Sequence, residues 1–460
     1  MSETLAATQQ ESGRFRHVLQ AATTVAVFSA AVKVVATVKE FVLAGVYGRS
    51  DAMDAYLAAA LIPNLLVNLF AESMNQALIP TLVRVRIEEG AARAQQLLAH
   101  SMMRLVLILL AASAGMAASA PYAFPVIASN FSVPKLEFSL RLFYALLPVV
   151  LLAGIASNCT AVLNTTYRFA IPAMAPALMP LAIMASALLL GKQCDVWAIV
   201  YGSLVGTAAY AVSMAWMMNG HGYRFQLNWG GQSPAAREVA RQYAPVLLSS
   251  VVASGGLLAD QAMAAMLPPG SVSALVYAGR FASVVVSLLG GAMAAALTPH
   301  FSVLVAHRDW EGCRRSLRHW SAITALVSAP IAIALVGGAP LLVKLTLQHG
   351  VFTKHDTAAV APVMAMYALQ IPFYAVSRVY YRFVLAMRRT DLILYCGIIN
   401  LILDIALNLL LMRCMGLAGI ALATSIWTGA TLAFLWFCSH RLLKERFRVA
   451  ARGNRNAEDR

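Results

Sequence analysis

The chain has 460 residues, 60% of them hydrophobic and only 12% charged, with a mean hydropathy of +0.70. Soluble domains carry about a quarter charged residues, so this composition excludes an ordinary water-soluble enzyme or binding module. The formal net charge is +15, from 35 Lys and Arg against 20 Asp and Glu, but no soluble basic segment carries it, so no nucleic-acid partner is expected.

Hydrocarbon is crossed only by helices or closed barrels, and a spanning helix needs about 20 apolar residues. Apolar runs of that length, without the alternation of barrel strands, predict an all-α polytopic membrane protein. Twelve spans are expected, at 22–46, 54–80, 102–128, 138–163, 170–190, 196–218, 240–266, 272–304, 319–346, 357–386, 391–412 and 416–438. The first twenty residues are polar and the first apolar run carries Lys33 and Lys39, so no cleavable signal peptide is expected. Six cysteines lie mostly in or beside apolar runs without a CxxC pair, and they read as small core residues.

Charge placement sets the topology. Arg84, Arg86, Arg93, Arg168, Arg224, Arg237, Arg308, Arg314, Arg315, Arg388 and Arg389 fall in loops on one side, joined by Arg441, Lys444 and Arg446 in the tail. The opposite loops offer Arg49, Lys135, Lys192, Lys354 and Arg413. The positive-inside rule then puts both termini in the cytoplasm. The chain also resembles itself at a separation of about 220 residues: Met74, Ala77, Leu78 and Pro80 recur as Met293, Ala296, Leu297 and Pro299. Two stacked six-helix lobes around a central cavity are expected, with a tail at 1–20, lobes at 21–220 and 239–440, a linker at 221–238 and a basic tail at 441–460.

Charged groups at bilayer depth cost several kcal/mol unless a cavity or a partner receives them, so they outline the working surface. The first span carries Lys33, Lys39 and Glu40; the second aligns Asn64, Asn68, Glu72, Asn75 and Gln76 along one polar stripe. Span 8 carries Arg280 with Ser283 and Ser287, and span 10 carries Tyr374, Arg378, Tyr381 and Arg382. Deep cations outnumber deep anions, which implies an anionic solute; Arg offers phosphate a bidentate fork and Lys a point charge. The Asn and Ser positions serve equally well as hydrogen-bond glue between helices.

A second, acidic set combines Asp260 on span 7 with Asn400, Asp404 and Asn408 spaced four apart on span 11. Carboxylate and amide oxygens on one face suit a small hard cation, although plain polar packing explains the spacing as well. In the turn from His349 to Thr357, Thr353 and Asp356 have the spacing of a capping box. No Walker loop, GxSxG, HExxH or paired CxxC supports an enzymatic site.

These residues resemble the MurJ (MviN-type) lipid II flippases of the multidrug/oligosaccharidyl-lipid/polysaccharide exporter superfamily. The likeness runs through Lys39-Glu40-Phe41, Tyr47-Gly48, Asp54-Ala55-Tyr56, Ile62-Pro63-Asn64-Leu65-Leu66, Phe70-Ala71-Glu72 and Ala77-Leu78-Ile79-Pro80. It continues in Tyr277-Ala278-Gly279-Arg280, in Gly350-Val351-Phe352-Thr353 with Asp356-Thr357, and in the run from Gly419 to Ser425. The resemblance implies alternating access in the bacterial cytoplasmic membrane, with a cationic cavity receiving an undecaprenyl-pyrophosphate-linked saccharide, and a monomer as the working unit.

Residue by residue, it implies that Lys33 and Lys39 stand where the family has arginines, Asp54 where it has an aspartate, and Arg280 where it has the span 8 arginine. Asn64, Asn68, Glu72, Arg378 and Arg382 complete the expected substrate surface. The family's sodium ligands fall on Asp260, Asn400, Asp404 and Thr424, so sodium is the expected coupling ion. The sequence departs where the family's arginine pair is Val67 and Asn68, where the acidic neighbour of Arg280 is Gly279, and in ending after span 12. A paralogue carrying an exopolysaccharide repeat unit fits these departures as well, and an exporter of cationic drugs is the more distant alternative.

Overall fold

The computed structural model describes residues 27–165, 170–220, 222–226, 228 and 234–458, with side chains to 448. The start of the first predicted span, the tail at 1–20 and Arg168 lie outside the described residues. All described regular structure is helical, and eleven stretches are long and apolar enough to cross a bilayer. A further helix, α1, occupies 27–47. The chain divides into two compact units, Met1–Ser254 and Gly255–Arg460.

In the first unit α1 leads into α2 (Asp51–Leu66), a π-helical turn (Val67–Glu72) and α3 (Ser73–Glu88), which together form one stretch. The Ser50 hydroxyl accepts the Met53 amide N–H at 3.2 Å, while Asp51 and Asp54 stand in the first turn, where the helix dipole favours negative charge. Next come α4 (Ala91–Ile127), α5 (Val133–Asn164), the short α6 (Ala170–Met174), a 3-10 turn (Ala175–Ala177), α7 (Leu178–Cys194) and α8 (Trp197–Gly220).

Helices α7 and α8 meet backbone to backbone. A Cβ added at Gly202 would stand 2.7 Å from Ile183 Cα, and one at Gly206 2.7 Å from Met179 Cα, so this pair of small residues sets the approach. Large apolar side chains such as Leu189 and Trp216 are exposed here, as a lipid-facing surface requires. The boundary between the units falls inside α9 (Pro234–Ala265).

The second unit continues with α10 (Ser271–Ala306), α11 (Trp310–Leu347), α12 (Lys354–Ala368), α13 (Gln370–Ala386), α14 (Thr390–Met415) and α15 (Leu417–Glu458). The capping box is present: the Thr353 N–H donates to Asp356 Oδ2 at 2.8 Å, and the Asp356 N–H donates to Thr353 Oγ1 at 3.3 Å. One apolar core gathers Leu297, Phe301, Leu317, Val379, Phe383 and Leu435 from α10, α11, α13 and α15. Helix ends reach beyond the apolar runs, most of all in α15, whose backbone stays helical through the basic stretch to Glu458.

Candidate functional site

In the first unit, the basic residues of α1 divide. Lys33 is exposed, whereas the Lys39 ammonium bonds the carboxylate of its neighbour Glu40 at 2.9 Å and both are largely buried. Asp54 is buried and sits 3.5 Å from the ammonium of Lys135 on α5; the same ammonium reaches Asp51 at 2.5 Å and covers the Phe131 ring at 4.1 Å. Asp54 therefore ties α2 to α5, and its charge is met by a residue that the sequence reading counted only as a loop cation.

The polar stripe separates into two parts. Asn64, Asn68, Glu72 and Gln76 are exposed, whereas Asn75 is buried. Ser157 on α5 donates to Glu72 Oε1 at 2.6 Å and accepts from Asn75 Nδ2 at 2.8 Å, while Asn158 Nδ2 donates to Asn75 Oδ1 at 3.2 Å. Asn75 is thus interhelical glue, and Glu72 is held in place at its exposed position by α5. The signal that could have found Ser157 and Asn158 is faint, because adjacent polar residues in a long apolar run are common.

In the second unit Arg280 is half-buried on α10, next to Gly279 and one turn from Tyr277, whose buried ring meets Phe352 edge-on at 6.3 Å. Ser283 and Ser287 turn back on α10 and donate to the carbonyls of Arg280 and Val284 at 2.9 and 3.1 Å. On α13 the Arg378 guanidinium lies over the rings of Tyr374 at 4.3 Å and Tyr381 at 5.1 Å, and the Arg382 guanidinium over Tyr381 at 5.5 Å.

The acidic set converges across 148 positions of sequence, because Asn408 Nδ2 on α14 donates to Asp260 Oδ1 on α9 at 2.7 Å and to Asp404 Oδ1 at 3.2 Å. Asp404 and Asn408 are buried, and Asp404 Oδ2 and Asn408 Oδ1 have no hydrogen-bond partner among the described residues. A Cβ at Gly256 would stand 3.0 Å from Asp404 Oδ2, so the bare glycine is what leaves this oxygen its space. Asn400 lies one turn away and is engaged elsewhere: its Oδ1 accepts from Thr431 at 3.0 Å and its Nδ2 faces Cys396 Sγ at 3.7 Å. The Thr424 hydroxyl donates to Ile420 O at 3.3 Å, and the Thr424 carbonyl accepts from Thr428 at 2.6 Å.

The amide that joins the carboxylates is therefore Asn408, which spacing alone did not separate from Asn400. Among the described residues no group of three or more His, Cys, Asp or Glu is arranged to hold a metal ion. A cation in this unit would rest on two carboxylates with amide and hydroxyl oxygens, a hard oxygen set that suits sodium.

Comparison with known proteins places the chain, though not its individual site residues, in a family. A lipid II flippase MurJ of Burkholderia cenocepacia is 27% identical over 369 residues, 77% of this chain and 70% of that protein. A probable lipid II flippase MurJ of Bdellovibrio bacteriovorus is 24% identical over 392 residues, 84% of this chain and 75% of that protein. Among solved structures, a lipid II flippase MurJ in an inward closed conformation superposes with a TM-score of 0.78 at 20% identity, over 90% of this chain and 87% of that one. An inward-facing multidrug resistance MATE family transporter gives 0.77 at 10% identity, over 92% and 99% of the two chains. These last two likenesses are of fold alone, the membrane-transporter fold expected from the spans. The family described as "Lipid II flippase MurJ" matches residues 43–451, so this chain is a membrane transporter and belongs to that family.

Proposed function

We propose that the chain flips a polyprenyl-diphosphate-linked saccharide, lipid II or a closely related glycan precursor, across the bacterial cytoplasmic membrane. The observation that carries this reading is the family match over 43–451. The chemistry agrees with it: Lys33 lies on α1 and Arg280 on the membrane-length α10, and a diphosphate is a headgroup that cations of either kind bind. Exposed Asn64, Asn68 and Glu72 offer amide and carboxylate groups to sugar hydroxyls. Alternating access of two lobes, both termini in the cytoplasm and a monomer as the working unit complete the proposal.

Coupling to sodium is part of the same reading. Two buried carboxylates bonded to one amide both stay ionised only if a positive charge joins them, and the two partnerless oxygens, Asp404 Oδ2 and Asn408 Oδ1, fit a hard cation. Asp260, Asp404 and Asn408 would hold it, with Asn400 one turn from Asp404 on α14 and Thr424 on α15. Bound there, sodium would supply the positive charge that lets both carboxylates stay ionised. The residues' own part is to keep the oxygens in place: Asn408 bridges, Gly256 leaves room, and Thr431 fixes Asn400.

Complementation of a strain depleted of its lipid II flippase tests the substrate. Rescue by the wild-type chain and failure by Arg280→Gln, with equal amounts of inserted protein, is the expected result; full rescue by Arg280→Gln refutes the grip. The second reading, an exopolysaccharide-unit flippase, is favoured by Val67 and Asn68 where the family carries an arginine pair. It predicts that the wild-type chain fails this complementation and instead restores a strain lacking its repeat-unit flippase. Export of cationic drugs fits poorly with cations at membrane depth, and resistance profiling of a deletion strain separates it.

A further inference from the structure

Arginine is rarely left alone in a membrane-spanning helix. Several cations in this chain have their anions: Lys39 has Glu40, Lys135 has Asp51 and Asp54, and Arg389 forks onto Asp391 at 2.8 and 2.9 Å. Arg378 and Arg382 on α13 differ. Among the described residues neither has a carboxylate within ion-pair distance, and the Nε–H of each is buried without an acceptor. What they have is aromatic faces: Arg378 lies over the rings of Tyr374 and Tyr381, and Arg382 shares the Tyr381 ring.

A ring face stabilises a guanidinium charge, yet it supplies no acceptor for the N–H groups. The two planes are thereby fixed before any ligand arrives, which lowers the ordering cost of binding. Positions 374, 378, 381 and 382 fall on one face of α13, while Val379, Tyr380, Phe383 and Val384 build the apolar core, against which Tyr381 also packs. The Tyr381 ring is therefore anchored by the core on which it rests, and both guanidinium groups lean on it. Arg378 stands eight residues, about 12 Å of helix rise, before α13 ends at Ala386, and so lies within the span and beyond easy snorkelling reach.

We propose that Arg378 and Arg382, stacked on Tyr374 and Tyr381, form a second phosphate-binding site, located on α13 of the second unit and separate from the grip assigned to Arg280. Its ligand is a diphosphate, esterified at both ends in a lipid-linked saccharide. The in-plane N–H groups of two adjacent guanidinium ions match such an anion in charge and in fork geometry. This rests on the proposed function for its ligand class and adds a second station for the headgroup. By the topology proposed above, the station lies toward the cytoplasmic end of the span, where a lipid-linked substrate would first arrive.

The test is calorimetric titration of inorganic pyrophosphate into the full chain in phosphatidylcholine nanodiscs. Arg378→Gln with Arg382→Gln is expected to weaken one binding event at least about tenfold, the loss of roughly one charge-assisted contact or more. Arg378→Lys, which keeps the charge and removes the fork and the stacking, should fall between; it also serves if the double variant does not insert. Arg280→Gln should retain the α13 event even where it fails complementation, so the two readings fail separately. Unchanged pyrophosphate binding in both Arg378 variants overturns the site. Repeating the titration in phosphatidylglycerol nanodiscs names the source: a weakened event marks the site as filled by bilayer phosphate, and an unaltered one reserves it for the diphosphate.

Discussion

Two clusters of carboxylates, one in each unit, handle the same electrostatic problem in opposite ways. In the first, Asp51 and Asp54 share the ammonium of Lys135, so the compensating cation is covalently part of the protein. In the second, Asp260 and Asp404 share only the neutral amide of Asn408, and two of the surrounding oxygens lack a donor. The first arrangement is a permanent tie between α2 and α5. The second leaves any compensating positive charge to come from outside, which is what the proposed coupling role requires, because a charge that never leaves cannot report an ion gradient.

The most disruptive way to probe this contrast is Lys135→Met. It strips Asp54, 1% exposed, of its ammonium partner, and truncating one member of a buried pair costs about 3–5 kcal/mol. Thermal unfolding of the purified protein should register the loss equally with and without sodium; a sodium-dependent rescue would show that the first cluster also borrows its cation. Asp404→Asn should have a conditional effect. Wild-type protein is expected to gain about 2.7 kcal/mol at sodium a hundred times its dissociation constant, whereas the variant gains nothing, and equal sodium shifts for the two defeat the assignment. Asn408→Ala removes the bridge, with an expected loss of about 1–3 kcal/mol and a weakened sodium response. Asn400→Ala should be the mildest, about 1 kcal/mol or less, since Asn400 bonds Thr431 rather than the carboxylates. If the order of the last two is reversed in sodium titrations, Asn400 is the nearer ligand.

The helices were legible because hydrocarbon admits so few backbones: long apolar runs translate directly into spans, and each described predicted span has its helix. The capping box at Thr353 was legible for a related reason, since both partners lie within four residues. The sites were only half legible. Spacing put Asn400, Asp404 and Asn408 on one face of α14, but a helical face does not say which neighbour each residue meets. Thr431 on α15 takes Asn400, and Asp260 on α9 takes Asn408. Lys135 was invisible as a partner because its acids lie 81 and 84 positions away and are chosen by packing. Likewise Asn64 through Gln76 read as one stripe, and only the fold sorted Asn75 inward to Ser157 and Asn158.

The π-helical turn at Val67–Glu72 makes this stretch tolerant of one particular change in length. A π turn is an α-helix with one residue too many, accommodated locally instead of being passed along the chain. Removing a single residue between 67 and 71 would let ordinary α geometry close up while the residues downstream keep their faces, so Asn75 would still meet Ser157 and Asn158. The same deletion in the regular helix on either side has no surplus to absorb it and would swing everything downstream by about 100° relative to everything upstream. A deletion inside the turn is therefore expected to be far less damaging than one a few residues away.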